Sequence, residues 1–181
     1  MLGIAAWGAQ AVRPGEVHAA AVLARRVHAP TKGYCRMLLH YCAYLISRKE
    51  DEVVIGAASR VPTFHTHVDS SWANDSLTSR SWFGYGIRWG GAAFCFRSKL
   101  EPVVALSSRD AETIACVFCL KAVLGFAILL SELEMLPKNT FEVAVDNKAT
   151  VDGVHSDKVA KDSRHQAMRL AHLERAESPN R

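Results

Sequence analysis

Three acidic residues lie where their side chains could meet. Asp69 and Asp146 each follow a short run of alternating apolar residues, and Glu112 lies in the first turns of an apolar helical stretch between them. If the two runs form neighbouring strands, both Asp side chains emerge at one end of a sheet, and a helix crossing that end brings Glu112 beside them. Clustered carboxylates repel one another, which raises their pKa values, and a hard cation such as Mg²⁺ relieves the repulsion. Two such ions about 3.5–4 Å apart can clamp the attacking and leaving oxygens of a phosphoryl displacement.

The same three acids also have an ordinary structural interpretation. Aspartate after a strand is common in turns, because its side chain bonds to the backbone of the turn. Glutamate near the start of a helix is favoured by the helix dipole. The pattern by itself therefore leaves both a metal site and a purely structural role open.

The residues around the acids predict a mixed α/β sheet flanked by helices. Alternating apolar residues predict three strands in an antiparallel meander, with a turn at Gly90-Gly91, followed by a central helix and a parallel fourth strand. The central helix is apolar almost all round, so we expect it to be covered on most sides. The predicted elements are, in order, strands over 64–69, 83–89 and 92–96, a helix capped by Ser108 and ending near Leu133, a strand over 141–145, a helix directly after that strand and a further helix over 163–174.

Two helical segments precede Val61-Pro62. The first begins at Pro14 and ends near His28, and the second follows Thr31, which is a suitable N-cap. Their apolar faces need a partner, and they are too few to form a core of their own. We therefore expect a helical appendage over residues 1–60 and an α/β domain over residues 61–181.

The composition is that of an ordinary globular chain. Of its 181 residues, 49% are hydrophobic and 22% charged, which excludes a disordered chain, a collagen-like chain and a long coiled coil. A net charge of +4 permits a nucleic-acid partner without requiring one. The five cysteines form no disulfide framework, and no targeting signal is visible, so we expect an intracellular protein that is not secreted.

One stretch of the chain is apolar enough to be considered for a membrane. It covers residues 114–130, is interrupted by Lys121 and contains the pair Cys116 and Cys119. We expect a buried core helix with core cysteines and no membrane partner, because the stretch is short of a span of about 20 residues. A small membrane-associated protein remains the alternative.

Several motifs in series resemble the ribonuclease H domain of copia-type retrotransposon polyproteins. Their order and approximate spacing agree with that family over about residues 62–175, and parts of the first 60 residues resemble the segment that joins the reverse transcriptase to that domain. The motifs are VDSSWAND at 68–75, TSRS at 78–81, VALSS at 104–108 with AE at 111–112, VDN at 145–147 and SRH at 163–165.

This resemblance implies a mixed five-stranded sheet and hydrolysis of the RNA strand of RNA–DNA hybrids with two Mg²⁺ ions, for which Mn²⁺ can substitute. It implies that Asp69, Glu112 and Asp146 are catalytic acids and metal ligands, and that Asp69 bridges both ions. His165 matches the family histidine and is expected to help move the attacking water or the product. The chain would be a polyprotein fragment, cytoplasmic or nuclear, with RNA–DNA hybrids and other polyprotein parts as partners.

The chain departs from the family pattern in two places. Ala167 stands where the family has a fourth acid, although Asp157 and Asp162 lie nearby in sequence. The family chain continues into a last strand, so we expect a domain truncated at its C-terminus. These departures leave a second function open, namely a catalytically weakened or inactive retrotransposon relic that at most binds nucleic acid.

Polar and basic residues around the acids are candidates for holding a hybrid, which is recognised by its shape, its phosphates and its 2′-hydroxyl groups. The candidates are Ser79, Arg80, Lys99, Asn147 and Arg164. For each of them a solvated surface position is the alternative, and for Asn147 the alternative is a helix cap.

Three neighbouring residues have structural interpretations. Trp72 is expected to pack in the core, and His65 and His67 share a strand face that lacks a third zinc ligand.

Overall fold

The computed structural model describes residues 2–51, 64–135, 141–146 and 150. A helical N-terminal part comes first, and a sheet with one long helix follows. The elements are α1 (Leu2–Val12), a single 3₁₀ turn (Pro14–Glu16), α2 (Val17–Ala24), α3 (Lys32–Ser47), β1 (Phe64–Ser71), β2 (Trp82–Trp89), β3 (Ala92–Leu100), α4 (Ser108–Glu132) and β4 (Phe141–Val145).

The four strands form one mixed sheet in the order β3-β2-β1-β4. β1, β2 and β3 pair antiparallel, and β4 pairs parallel to β1. This confirms the predicted α/β architecture, three antiparallel strands and one parallel strand flanked by helices, and it is consistent with an RNase H-like fold. The helix predicted over 163–174 lies outside the described residues.

The period-two pattern of β1 explains which face of the sheet is buried. Phe64, Thr66 and Val68 are buried, whereas the residues between them are exposed. The turn between β2 and β3 is made by Gly90 and Gly91, whose φ angles are 58° and 88°. Positive φ at both positions is what a tight two-residue hairpin requires, and glycine adopts it without a steric penalty.

α4 is the core helix that the sequence predicts, and it packs on β1, β2 and β4. Its N-cap is Ser107, one residue earlier than the predicted Ser108, because the Ser107 hydroxyl accepts from the Asp110 amide at 3.1 Å. By length and composition α4 could cross a membrane, a test that the core helix of a soluble protein also passes.

The cysteines of α4 are core residues, as predicted. Cys116 and Cys119 are buried, and burial raises the pKa of each thiol to about 12. All five cysteines of the chain are free.

The N-terminal helices differ from the prediction in their bounds and in number. The helix expected over 14–28 is the 3₁₀ turn followed by α2, which ends at Ala24, and α1 precedes it without having been predicted. Thr31 is the N-cap of α3, as expected, and accepts from the Tyr34 amide at 3.2 Å. α1 and α2 pack on β3, where Phe96 closes a second apolar cluster formed by Ala9, Val17, Ala20, Leu23, Tyr34 and Tyr41.

Candidate metal centre

The parallel pairing of β1 with β4 brings two of the predicted acids to the same level of the sheet. Val68 is paired with Val145, so the next residue on each strand is an aspartate, Asp69 or Asp146. α4 crosses both strands and carries Glu112 near its start. One carboxylate oxygen from each of the three acids lies within 4.8 Å of the others. β1 and β4 are therefore neighbours, and the three acids lie close together.

The three carboxylates differ in their surroundings. Asp69 and Asp146 are exposed, whereas Glu112 is only 5% exposed. Glu112 Oε1 accepts from the Ser70 amide at 3.1 Å and from the Ser70 hydroxyl at 3.2 Å. Its Oε2 atom is buried and has no hydrogen-bond partner within the part of the chain that the structure describes. One oxygen of Glu112 is thus held by β1 and the other is left for a ligand.

The electrostatics of the cluster favour a cation. Burial raises the pKa of the Glu112 carboxyl above its ordinary value, and the nearby Asp69 and Asp146 raise that pKa further, while the Ser70 hydrogen bonds lower it. A hard divalent ion relieves both causes of the increase, because it neutralises the like charges and supplies a partner for the buried oxygen. The donor set is made of carboxylate oxygens, which are the ligands that Mg²⁺ and Mn²⁺ prefer.

The loop after β1, residues 72–81, has more internal bonds than its sequence indicates. Asp75, which is 7% exposed, accepts from the Thr78 amide at 3.0 Å and from the Thr78 hydroxyl, and it forms an ion pair with Arg25 of α2. The Asp75 amide donates to the Arg80 carbonyl at 3.0 Å. We refer to residues 72–81 as the β1–β2 loop.

Trp72 does not pack in the core, contrary to our expectation. The residue is 52% exposed, and its indole N–H donates to the Ala105 carbonyl at 3.1 Å. Ala105 precedes the N-cap of α4 by two residues. An indole has one polar edge, so anchoring that edge leaves the rest of the ring outside the core.

The predicted nucleic-acid contacts lie in different surroundings. Ser79 and Lys99 are exposed, in the β1–β2 loop and on β3 respectively. Arg80 is half-buried and donates to Thr78 Oγ1 at 3.2 Å and to the Glu101 carbonyl at 3.4 Å. Three predicted site residues lie outside the described residues, namely His165, Asn147 and Arg164. The roles of all these residues stay predictions.

Of the two histidines considered for zinc, His65 contacts an acid on the neighbouring strand. Its Nδ1 atom lies 2.7 Å from Glu142 Oε2. Both His65 and His67 are exposed on β1, as their alternation with buried residues predicts.

A cavity of about 410 Å³ adjoins Asp69 on the sheet face opposite α4. Gly84 and Gly86 of β2 are paired with Asp69 and His67, so no side chain of β2 fills the space beside these two residues. His18 of α2 forms the opposite side, where its Nδ1 atom lies 2.9 Å from Ser98 Oγ. One acid of the cluster therefore faces an open volume.

The residues that hold the acids in place carry little signal in the sequence. Ser70 follows Asp69 directly, and nothing in its type or spacing indicates a bond to a helix 42 residues later. The spacing of Asp75 and Thr78 is typical of an aspartate that bonds to the backbone of its own turn, and this signal could have been recognised. No local signal indicates its ion pair with Arg25.

The chain is similar in sequence to a known polyprotein. Over 140 residues the chain is 29% identical to the retrovirus-related Pol polyprotein from transposon TNT 1-94 of Nicotiana tabacum. The match covers 77% of this chain but only 10% of the relative. The matched part of the chain therefore corresponds to a small part of that polyprotein. No protein-family model and no solved structure matches the chain.

Proposed function

We propose that the chain hydrolyses the RNA strand of RNA–DNA hybrids in a reaction that depends on Mg²⁺, as the ribonuclease H part of a retrotransposon polyprotein. The observation that carries the proposal is the meeting of Asp69, Glu112 and Asp146 within 4.8 Å, with one buried oxygen of Glu112 left without a partner among the described residues. The similarity to a transposon Pol polyprotein and the mixed sheet support it.

In this proposal Asp69, Glu112 and Asp146 would hold two Mg²⁺ ions, or Mn²⁺ in their place, and Asp69 would be the shared ligand. Ions bound there would supply electrostatic stabilisation of the attacking and leaving oxygens of a phosphoryl displacement. Ser70 orients Glu112 through two hydrogen bonds, so that its second oxygen is directed to the ions without a loss of side-chain freedom at the moment of binding. Asp69 and Asp146 are exposed, which lets a phosphodiester approach the site from solvent.

The remaining assignments follow from the same proposal. His165 assists the attacking water or the product, and Ser79, Arg80, Lys99, Asn147 and Arg164 contact the hybrid. Residues 61–181 form the RNase H-like domain, and residues 1–60 derive from the segment that joins it to a reverse transcriptase. We propose an intracellular protein that acts with other polyprotein parts.

A second candidate function is favoured by one position of the sequence. Ala167 stands where the family pattern has its fourth acid, and a methyl group cannot bind a metal. In that case the chain is a relic with weak or no catalysis that binds nucleic acid at most.

Cleavage of a labelled RNA–DNA hybrid by the full chain, in Mg²⁺ and in Mn²⁺, tests the proposal. Asp69→Asn is expected to reduce cleavage by more than about 100-fold, because it removes the shared ligand. Asp51→Asn is the matched control, since Asp51 is an exposed acid that pairs with Arg48. A chain that circular dichroism shows to be folded but that cleaves no hybrid refutes the proposal, and hybrid binding by that chain would favour the second candidate.

A further inference from the structure

Arg25 of α2 contacts the β1–β2 loop at a single acidic residue. Its guanidinium forms an ion pair with Asp75, whose side chain is 8% exposed, while the Arg25 side chain is 26% exposed. The guanidinium carbon also lies 5.8 Å from the centre of the Trp82 ring, a distance at which a cation is attracted to the ring face. The contact is therefore partly shielded from water. The attraction between two opposite charges is stronger in such a position than on an open surface.

Asp75 transmits this contact to the whole loop. One carboxylate receives Arg25, the Thr78 amide and the Thr78 hydroxyl, and the backbone of Asp75 bonds to Ser79 and Arg80. The loop includes two residues with positive φ, Ala73 at 51° and Ser79 at 52°, a conformation that non-glycine residues adopt at a cost. The loop conformation therefore has to be stabilised by contacts from outside the loop, and the ion pair between Arg25 and Asp75 is one such contact.

The β1–β2 loop in turn connects β1, which carries Asp69, with the segment before α4, the helix that carries the buried Glu112. At one end it continues β1, which contains Asp69 and Ser70. It is bonded to the segment before α4 through Trp72, whose indole N–H reaches Ala105, and through the Ser81 carbonyl, which accepts from the Glu101 amide at 2.8 Å. That segment leads into the N-cap of α4, and Glu112 follows near the helix start.

We propose that Arg25 is a positioning residue for the carboxylate site, acting through Asp75 and the β1–β2 loop to fix the start of α4 against the end of β1. The catalytic consequence rests on the proposed function, whereas the structural consequence does not. The N-terminal helices then contribute to the site itself, although none of their residues belongs to the carboxylate cluster.

The proposal predicts a specific pattern of effects in Arg25→Ala. A displacement of about 1 Å at a catalytic group reduces turnover by up to about 100-fold, so we expect kcat for hybrid cleavage to fall at least about tenfold. The loop also carries Ser79 and Arg80, which are proposed to contact the hybrid, so KM for the hybrid is expected to rise alongside the fall in kcat. Arg25→Lys keeps the charge without the planar geometry and should recover part of kcat.

Amide hydrogen exchange of the full chain, measured by NMR, tests the proposal without relying on activity. The Ser70 amide bonds to Glu112 and therefore reports the contact between β1 and α4. In Arg25→Ala we expect its exchange to accelerate about tenfold together with that of Thr78, and in Arg25→Lys to accelerate less. Arg26→Ala is the matched control. Arg26 is the exposed neighbour of Arg25, and its replacement by alanine removes the same charge from α2 and its C-terminal end.

The outcomes separate the two proposals. Unchanged exchange at Ser70 in Arg25→Ala, with or without a change at Thr78, overturns the positioning role. Equal acceleration at Ser70 in Arg26→Ala overturns it as well, since the effect would then come from charge alone. If the wild-type chain cleaves no hybrid, the proposed function fails, while acceleration at Ser70 that is specific to Arg25 still supports the positioning role.

Discussion

Replacing Glu112 with glutamine should stabilise the fold in the absence of divalent ions and abolish its stabilisation by them. Two unit charges 4.8 Å apart repel each other by about 1 kcal/mol in water and by about 3 kcal/mol at an effective dielectric constant of about 20. Asp69 and Asp146 are exposed, so the lower figure applies to each, and neutralising Glu112 removes about 2 kcal/mol of repulsion. Glutamine keeps the oxygen that accepts from Ser70, but its amide group then occupies the buried position at a cost of about 1 kcal/mol.

The balance is a net stabilisation of about 1 kcal/mol, or about 2–4 °C in the melting temperature of a chain of this size. The assay is thermal unfolding at pH 7 in EDTA and again with Mg²⁺. An ion present at about 100 times its dissociation constant stabilises the wild type by about 2.7 kcal/mol, and Glu112→Gln should lose most of that gain, so the order of stability reverses. Glu132→Gln on the same helix is the control and should respond to Mg²⁺ as the wild type does.

The difference in stability between Glu112→Gln and the wild type in EDTA depends on pH, and the sign of that dependence follows from the pKa of Glu112. The folded-state pKa of Glu112 is raised above its ordinary value of 4.5, so the folded state binds this proton more tightly than the unfolded state does. The advantage of the variant in EDTA should therefore be complete above the raised pKa and vanish below pH 4.5. A variant that is less stable than the wild type in EDTA at pH 7, or that gains as much from Mg²⁺, would refute this account of the cluster.

Two further predictions concern the N-terminal contact and the core. Asp75→Asn should lower the free energy of unfolding at pH 7 by about 1–3 kcal/mol in urea, because it leaves Arg25 without its charged partner. Since the hydrogen bond from Arg25 lowers the pKa of Asp75 below 3.8, this loss should be present above pH 3.8 and fade as the pH falls through the lowered value; a constant loss down to pH 2 would contradict it. Cys116 and Cys119 should resist a thiol reagent at pH 8 in the folded chain while exposed Cys35 reacts, and mass spectrometry that finds all three equally labelled would show that α4 does not cover its cysteines.

The elements that carry the acids could be predicted from local patterns. Alternation in β1 reports which side chains face α4, because residues two apart share one face of a strand. The two glycines at positions 90 and 91 fix the hairpin between β2 and β3 for a similarly local reason. Such signals depend only on neighbours in sequence, so they can be recognised without knowledge of the tertiary structure.

α1 was missed because its sequence lacks the usual helix signals. The segment LGIAAWGAQAV has no acidic residue in its first turn and no basic residue in its last. Ala9 is its buried residue, while Ile4 and Trp7 are more than 70% exposed, so size and hydrophobicity do not mark the inward face. Its position is determined by packing on β3 and α2, which a local pattern does not contain.

By itself, the sequence determined the α/β class, the succession along the chain of three strands, one core helix and a fourth strand, and the three acids that could bind metal. Only the tertiary structure decided that the acids meet, since the parallel pairing of β1 with β4 joins residues 77 positions apart. It also decided what holds them, namely the bonds from Ser70 to Glu112 and from Arg25 to Asp75. The reason is physical: strand and helix patterns arise from neighbours along the chain, whereas a bond between distant side chains exists only once the backbone has placed both of them.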